Sequence, residues 1–424
     1  MTSLNELNTP HVWLRVDEKG LFTDGDSLDM VTAAFTDAIT RIVVLSHGWK
    51  TNIDDASHQY GPLWQQVLAH RPQTQTDTLL VCLNWPSKTY DPYFVDHLDQ
   101  AQINALSADA PEEAGDLPQK RLNDLRTETA TLLGVSSKKL ADAVNKAIEE
   151  GAAQDLFLIL RDKVAPGADA EVVAGLPDTD LVDGDFDAAF LALQEPPPVP
   201  DDAQAASVDD VVKAIVKGPR MAVAWVLNQA TYFEMKKRAG IVGAQLAATF
   251  AAATWPKTYD LHLIGHSFGG RLVTSFANSY TGNTKLPLKS VTLLQAAYSQ
   301  HGLSKERGGV YVKAPNNVDG PFVITHTHKD KANYYAYFYA SMVSGVQAAA
   351  VGAPDNIFGG GATSPFGAMG ANGAQHSGAV AITVETFAPS NGKIQNVLAD
   401  TFIEDHMDIA KPLTGELVAK VIDG

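Results

Sequence analysis

Cysteine is nearly absent: Cys82 is the only one in 424 residues. That excludes an intrachain disulfide framework and a cysteine-rich zinc cluster. Positive charge is scarce as well, with 32 Lys+Arg against 49 Asp+Glu and a formal net charge of −17. Such a balance argues against a nucleic-acid partner and against docking on an anionic membrane. Long apolar runs are missing. The most apolar stretch, residues 239–255, carries Gln245 and Thr249 and falls short of the roughly 20 apolar residues a membrane span needs, so it predicts a buried helix. The start, MTSLNELNTPHVW, has neither the basic residues nor the apolar run of a secretory signal. The expected location is therefore cytoplasmic. No Gly-x-Gly-x-x-Gly follows a candidate strand, so no dinucleotide site is expected.

Several short, mostly apolar runs read as strands: 11–17 (HVWLRVD), 41–46 (RIVVLS), 79–84 (LLVCLN), 259–264 (YDLHLI), 290–296 (SVTLLQA), 322–327 (FVITHT) and 379–387 (AVAITVETF). Continuous apolar runs of this length suit a parallel sheet covered on both faces. Helical spacing recurs between them, at 54–70, 269–280 and 333–346. This alternation predicts an α/β fold with an open, parallel sheet covered by helices on both faces.

The alternation breaks between residues 96 and 218, where helices are predicted at 118–133 and 136–150. Residues 151–210 hold fourteen acidic against two basic side chains, so this segment carries twelve of the seventeen net negative charges. A proline-rich connector, EPPPVPDD, follows at 195–202. The expected organisation is a core of 1–95 and 219–424, interrupted at 96–218 by a helical acidic insertion placed as a cap or lid. Residues 165–205 read equally as a disordered acidic loop. A Gly-rich stretch at 351–378 reads as a loop that, with the insertion, is placed to gate entry.

Residues 261–273 read LHLIGHSFGGRLV, in which Gly265-His266-Ser267-Phe268-Gly269 forms a Gly-x-Ser-x-Gly. It follows a candidate buried strand at once and opens an amphipathic helix. A turn this sharp strains the serine backbone and crowds its neighbours, which the two glycines relieve. The serine hydroxyl then stands beside a helix N-terminus, where negative charge is favoured. A serine needs a base, and in this setting the order along the chain is serine, acid, histidine. Asp330 follows the end of the 322–327 strand and is the candidate acid. His406, in IEDHMDIAKP, is the candidate base, although it stands far beyond the 379–387 strand. Backbone donors for an oxyanion are expected from the Phe268 amide and from the Trp49 amide of VVLSHGWKTN, with Gly48 as the alternative. Trp85, His266 and Tyr298 are candidate substrate contacts, and Tyr93 and Phe268 add apolar character.

Taken together, SHGW (46–49), NWPS (84–87), GHSFGG (265–270), HKD (328–330) and DHMD (405–408) resemble the α/β-hydrolase superfamily. Within it, the chain looks like a broad group of microbial serine hydrolases with an HGW oxyanion loop. The resemblance covers about 1–95 and 220–424 and not the acidic insertion. It implies an α/β-hydrolase fold with a mostly parallel eight-stranded sheet and helices on both faces, a Ser267–Asp330–His406 triad, no metal or organic cofactor, and a small-molecule or lipid-like ester as substrate. Ester cleavage through an acyl-enzyme is the expected activity, with lipase, thioesterase or peptidase action on the same triad as alternatives. Two rivals come from other classes. His326, His328 and Asp330 form His-x-His-x-Asp, a candidate metallohydrolase ligand set, and the chain could be a non-catalytic binding protein on a hydrolase scaffold.

Overall fold

The computed structural model describes residues 3–48, 53–87, 119–164, 172–173, 176–177, 218–330, 333 and 367–424. Among these residues, eight strands form one sheet: β1 (His11–Arg15), β2 (Arg41–Ser46), β3 (Thr78–Asn84), β4 (Asp260–His266), β5 (Leu288–Leu294), β6 (Phe322–His326), β7 (Val380–Thr383) and β8 (Ile394–Leu398). Their order is β1-β3-β2-β4-β5-β6-β8-β7, and every neighbouring pair is parallel. The chain is thus an α/β protein with an all-parallel eight-stranded sheet.

Leaving single turns aside, the helices are α1 (Leu28–Ala33), α2 (Ile53–His70), α3 (Gln119–Leu133), α4 (Ser137–Glu150), α5 (Gln154–Val164), α6 (Pro219–Ala252), α7 (Phe268–Ser279) and α8 (Pro412–Asp423). Side chains alternate across each strand. Val43, Leu45, Leu80 and Cys82 therefore join the cluster beneath α2 and α8, while Ile42, Val44, Leu79 and Val81 join the one beneath α6 and α7. Burial on both faces is why these strands read as unbroken apolar runs. Cys82 is buried and free, and burial pushes its thiol pKa up.

The stretch 239–255 lies mostly within α6, which begins twenty residues earlier at Pro219 and ends at Ala252. Among the described residues no helix is long and apolar enough to cross a membrane. In the acidic interval, α3, α4 and α5 contribute Leu122, Leu125, Leu140, Val144, Phe157 and Leu160 to the cluster shared with α6 and the sheet. Ser136 caps α4, its Oγ accepting from the Lys139 amide at 3.4 Å. Most of 165–205 lies outside the described residues, as do the 333–346 helix apart from Asn333 and the 351–366 part of the Gly-rich loop.

The sheet departs from the sequence reading at its far edge. Only 380–383 of the 379–387 run is strand, and a strand not anticipated, β8, lies between it and β6. Its polar pair Gln395 and Asn396 hid it, yet both are buried. Gln395 Nε2 donates to the Ala388 carbonyl at 2.9 Å, and its Oε1 accepts from the Ser390 amide at 2.9 Å. Asn396 exchanges two hydrogen bonds with the Ala374 backbone, at 2.9 and 3.0 Å. These amides tie loops to the sheet, so the polarity is satisfied inside.

Candidate functional site

The site is assembled at the C-terminal ends of β2, β4, β6 and β8, where an open parallel sheet leaves its crevice. Ser267 sits between β4 and α7 with φ 56° and ψ −125°, a backbone conformation costly for a residue with a Cβ. Backbone bonds hold it there: its amide donates to the Leu294 carbonyl at 3.1 Å, and its carbonyl accepts from the Ala297 amide at 3.0 Å. The flanking glycines have the expected cause. A Cβ on Gly265 would overlap the Gly269 carbonyl, and one on Gly269 would overlap the Ser46 and His47 carbonyls. We therefore expect Gly269→Ala to cost more than about 3 kcal/mol of stability by denaturant titration. Gly25→Ala, at φ 79° but with no atom within 4 Å, should cost only about 1 kcal/mol.

Gly48 lies against the serine: a Cβ there would stand 2.7 Å from Ser267 Cβ and 3.1 Å from its Oγ. The loop is braced from behind. The Trp85 amide donates to His47 Nε2 at 3.4 Å, which leaves the proton on Nδ1, and that nitrogen donates to the Gly48 carbonyl at 2.9 Å. Trp85 Nε1 donates to the His47 carbonyl at 3.1 Å, and its ring stacks on the imidazole at 5.6 Å. Phe268 opens α7, so its amide lies in the first turn beside the serine. Trp49 and Tyr93 lie outside the described residues.

The structure brings Asp330 and His406 together. Nδ1–H of His406 donates to Asp330 Oδ2 at 2.9 Å; the aspartate is fully buried and the histidine 9% exposed. This bond places the imidazole proton on Nδ1 and leaves a lone pair on Nε2. Asn333, not anticipated from the sequence, holds the carboxylate. Its amide donates to Oδ1 at 2.8 Å, and its Nδ2 donates to Oδ2 at 2.7 Å and to the Gln295 carbonyl at 2.8 Å. The D-x-x-N spacing is the signal that could have found it, because an aspartate commonly accepts from the amide three residues on. The reach to His406 is also shorter than it looked. The loop leaves from β8 at Leu398, not from the 379–387 run.

The three candidate substrate contacts lie buried, with their polar atoms engaged by protein groups. Trp85 is 1% exposed and spends its indole N–H on the His47 carbonyl. Tyr298 is fully buried, its hydroxyl 2.9 Å from Thr274 Oγ1 and its ring edge-on to Tyr311. His266 is 3% exposed with both ring nitrogens engaged by protein groups. The Phe268 ring is likewise buried, against Tyr232. Aromatic residues at strand ends suggested a lining, but these are core.

The His-x-His-x-Asp residues diverge. His328 Nδ1 faces Asp400 Oδ2 at 2.8 Å, Asp330 faces His406 and Asn333, and the His326 ring lies 6.3 Å from that of His328. Among the described residues no group of three or more His, Cys, Asp or Glu is arranged to hold a metal ion.

Burial holds several imidazoles neutral. It lowers the pKa of His47 and His326 to about 4 and of His262 and His266 to about 3. In the unfolded chain each titrates near 6.5. Below that value the unfolded state binds more protons, so stability falls as pH falls from about 6.5 toward 4, and it is fully present above 6.5. Denaturant midpoints at pH 7.5 and 5 check this; the lower pH should give the lower midpoint.

The chain matches no family model, no curated protein and no solved structure.

Proposed function

We propose that the chain is a serine hydrolase of the α/β-hydrolase type that cleaves carboxylic esters through an acyl-enzyme. The observation that carries this reading is the buried Asp330–His406 bond at 2.9 Å, formed across 76 residues of sequence at the same end of the sheet as a strained, helix-capping Ser267. A buried carboxylate bound to Nδ1 sets the tautomer a general base needs.

In the proposed cycle, Ser267 Oγ attacks the ester carbonyl carbon while His406 Nε2 takes the hydroxyl proton. Asp330 stabilises the imidazolium that forms. The carbonyl π pair moves to oxygen, and the oxyanion is received by the Phe268 amide and the Gly48–Trp49 segment. Collapse breaks the carbon–alkoxy bond, and His406 returns the proton to the departing alcohol. Water then repeats the sequence on the acyl-enzyme and frees the acid. No cofactor is needed for any step. Thioester or amide cleavage on the same residues is the nearest alternative.

Trp85, Phe268 and Tyr298 are buried, so the acyl preference is left to measurement. A series of p-nitrophenyl esters of graded acyl length is the test. Saturable turnover of at least one ester, lost in Ser267→Ala, is the expected result; no turnover of any ester by the folded protein would contradict ester hydrolysis.

A further inference from the structure

His266, between Gly265 and Ser267 in the elbow, makes two hydrogen bonds that cross the site. One ring nitrogen, Nε2, lies 2.8 Å from the main-chain carbonyl of His406. A carbonyl can only accept, so Nε2 carries the proton and donates. The other, Nδ1, is then an acceptor, and it receives the side-chain amide of Gln59 Nε2 at 2.8 Å. Gln59 lies on α2, so the relay runs from a surface helix, through the residue before the nucleophile, to the backbone of the base.

We infer that His266 is a positioning residue, fixing the His406 main chain relative to Ser267, and that Gln59 holds it in the tautomer this requires. The inference rests on the hydrolase reading and deepens it. The side chains of Ile403 and Ile409 bury the loop on either side of His406, and His266 adds a hydrogen bond at the His406 main chain itself. Neighbouring polar ties in the loop are turns and exposed pairs: the Glu404 amide donates to Asp408 Oδ2, the Met407 amide to Asp405 Oδ1, and Lys329 pairs with an exposed Glu404. Met407 itself is 47% exposed. Asp330 orients the imidazole through Nδ1 but does not hold the backbone that carries it. Nδ1 of His406 and its carbonyl oxygen are thus held separately, by Asp330 and by His266.

Charge explains why the strut is a neutral imidazole rather than a cation. The two rings lie 4.8 Å apart, and His406 becomes an imidazolium during each half-reaction. A positive charge on His266 would oppose it. Burial lowers the His266 pKa to about 3, with the neighbouring His406 adding to the effect, so His266 stays neutral where hydrolysis would be measured.

The two ring positions can be tested separately. A glutamine side chain places its amide near where Nε2 stands, and an asparagine reaches only to Nδ1. His266→Gln should retain the bond to the His406 carbonyl, and His266→Asn should lose it. With the full chain and a turned-over p-nitrophenyl ester, His266→Asn should lower kcat about 10²-fold at nearly unchanged KM, while His266→Gln stays within about fivefold of wild type. Gln59→Met, which leaves Nδ1 without its donor, should lower kcat about 10-fold in the same way. Equal losses in His266→Asn and His266→Gln would mean that the residue only packs, and would overturn the inference. So would unchanged kcat in His266→Asn. If either histidine variant does not fold, unchanged kcat in Gln59→Met overturns it and a kcat-only loss supports it. A wild-type protein that neither turns over esters nor reacts with a fluorophosphonate fails the hydrolase reading, and the inference falls with it. An active wild type with insensitive variants fails the inference alone.

Discussion

Ser267→Ala is expected to lower kcat on any hydrolysed ester by about 10⁶-fold while leaving the fold intact. The fold survives because what holds residue 267 is backbone. The amide bond to Leu294 and the carbonyl bond from Ala297 do not involve the hydroxyl, and the positive φ costs alanine about what it costs serine. Alanine adds no atom toward Gly48, so that close approach is left as it is. A thermal midpoint within a few degrees of wild type, together with the loss of turnover, separates a chemical role for the hydroxyl from a structural one. Retained turnover would move the nucleophile elsewhere.

Asp330→Asn should cost about 10⁴-fold in kcat, through a conflict that can be followed atom by atom. The carboxylate accepts on both oxygens: Oδ1 takes the Asn333 amide, and Oδ2 takes His406 Nδ1 and Asn333 Nδ2. A carboxamide of the same shape accepts on one atom and donates on the other. If its NH₂ group faces His406, Nδ1 must become the acceptor and the proton moves to Nε2, which then cannot take one from Ser267, and the same NH₂ group meets the Asn333 Nδ2 donor. If its NH₂ group faces the Asn333 amide, two donors meet inside a buried pocket, at a cost of about 1–3 kcal/mol. Either arrangement damages the base. Kinetics combined with denaturant unfolding check both consequences, since each arrangement brings two donors together and should lower stability along with kcat. A loss of less than tenfold in kcat would argue that His406 does not depend on Asp330.

The sheet core was readable because its strands are buried on both faces and therefore apolar throughout. The turn at Ser267 was readable because its motif is compact in sequence, although the demand on Gly269 comes from the end of β2. Gly265, Ser267 and Gly269 lie within five residues, and the overlaps a Cβ would meet there come from Gly269, Ser46 and His47. The Asp330–His406 pair followed from its order along the chain, a weaker signal that the geometry supports. What stayed hidden was polarity turned inward. Gln395 and Asn396 disguised β8 because their partners, the backbones at 388–390 and 374, are brought in only by the fold. Gln59 escaped notice for the same reason: nothing in a helix sequence marks one glutamine among its polar neighbours as facing a histidine 207 residues away. Trp85, Tyr298 and His266 erred in the opposite direction. Each adjoins a strand end near the site, yet its polar atom is spent inside the protein. Of the net charge of −17, −12 falls in 151–210, a stretch of sequence that contains none of the residues the proposed chemistry uses.

The most direct measurement is reaction of the purified full chain with a fluorophosphonate, followed by peptide mass mapping. The proposed mechanism predicts one adduct per chain, on the peptide carrying Ser267, absent in Ser267→Ala and slowed in Asp330→Asn. No adduct on a well-folded protein, or an adduct that persists in Ser267→Ala, would contradict it.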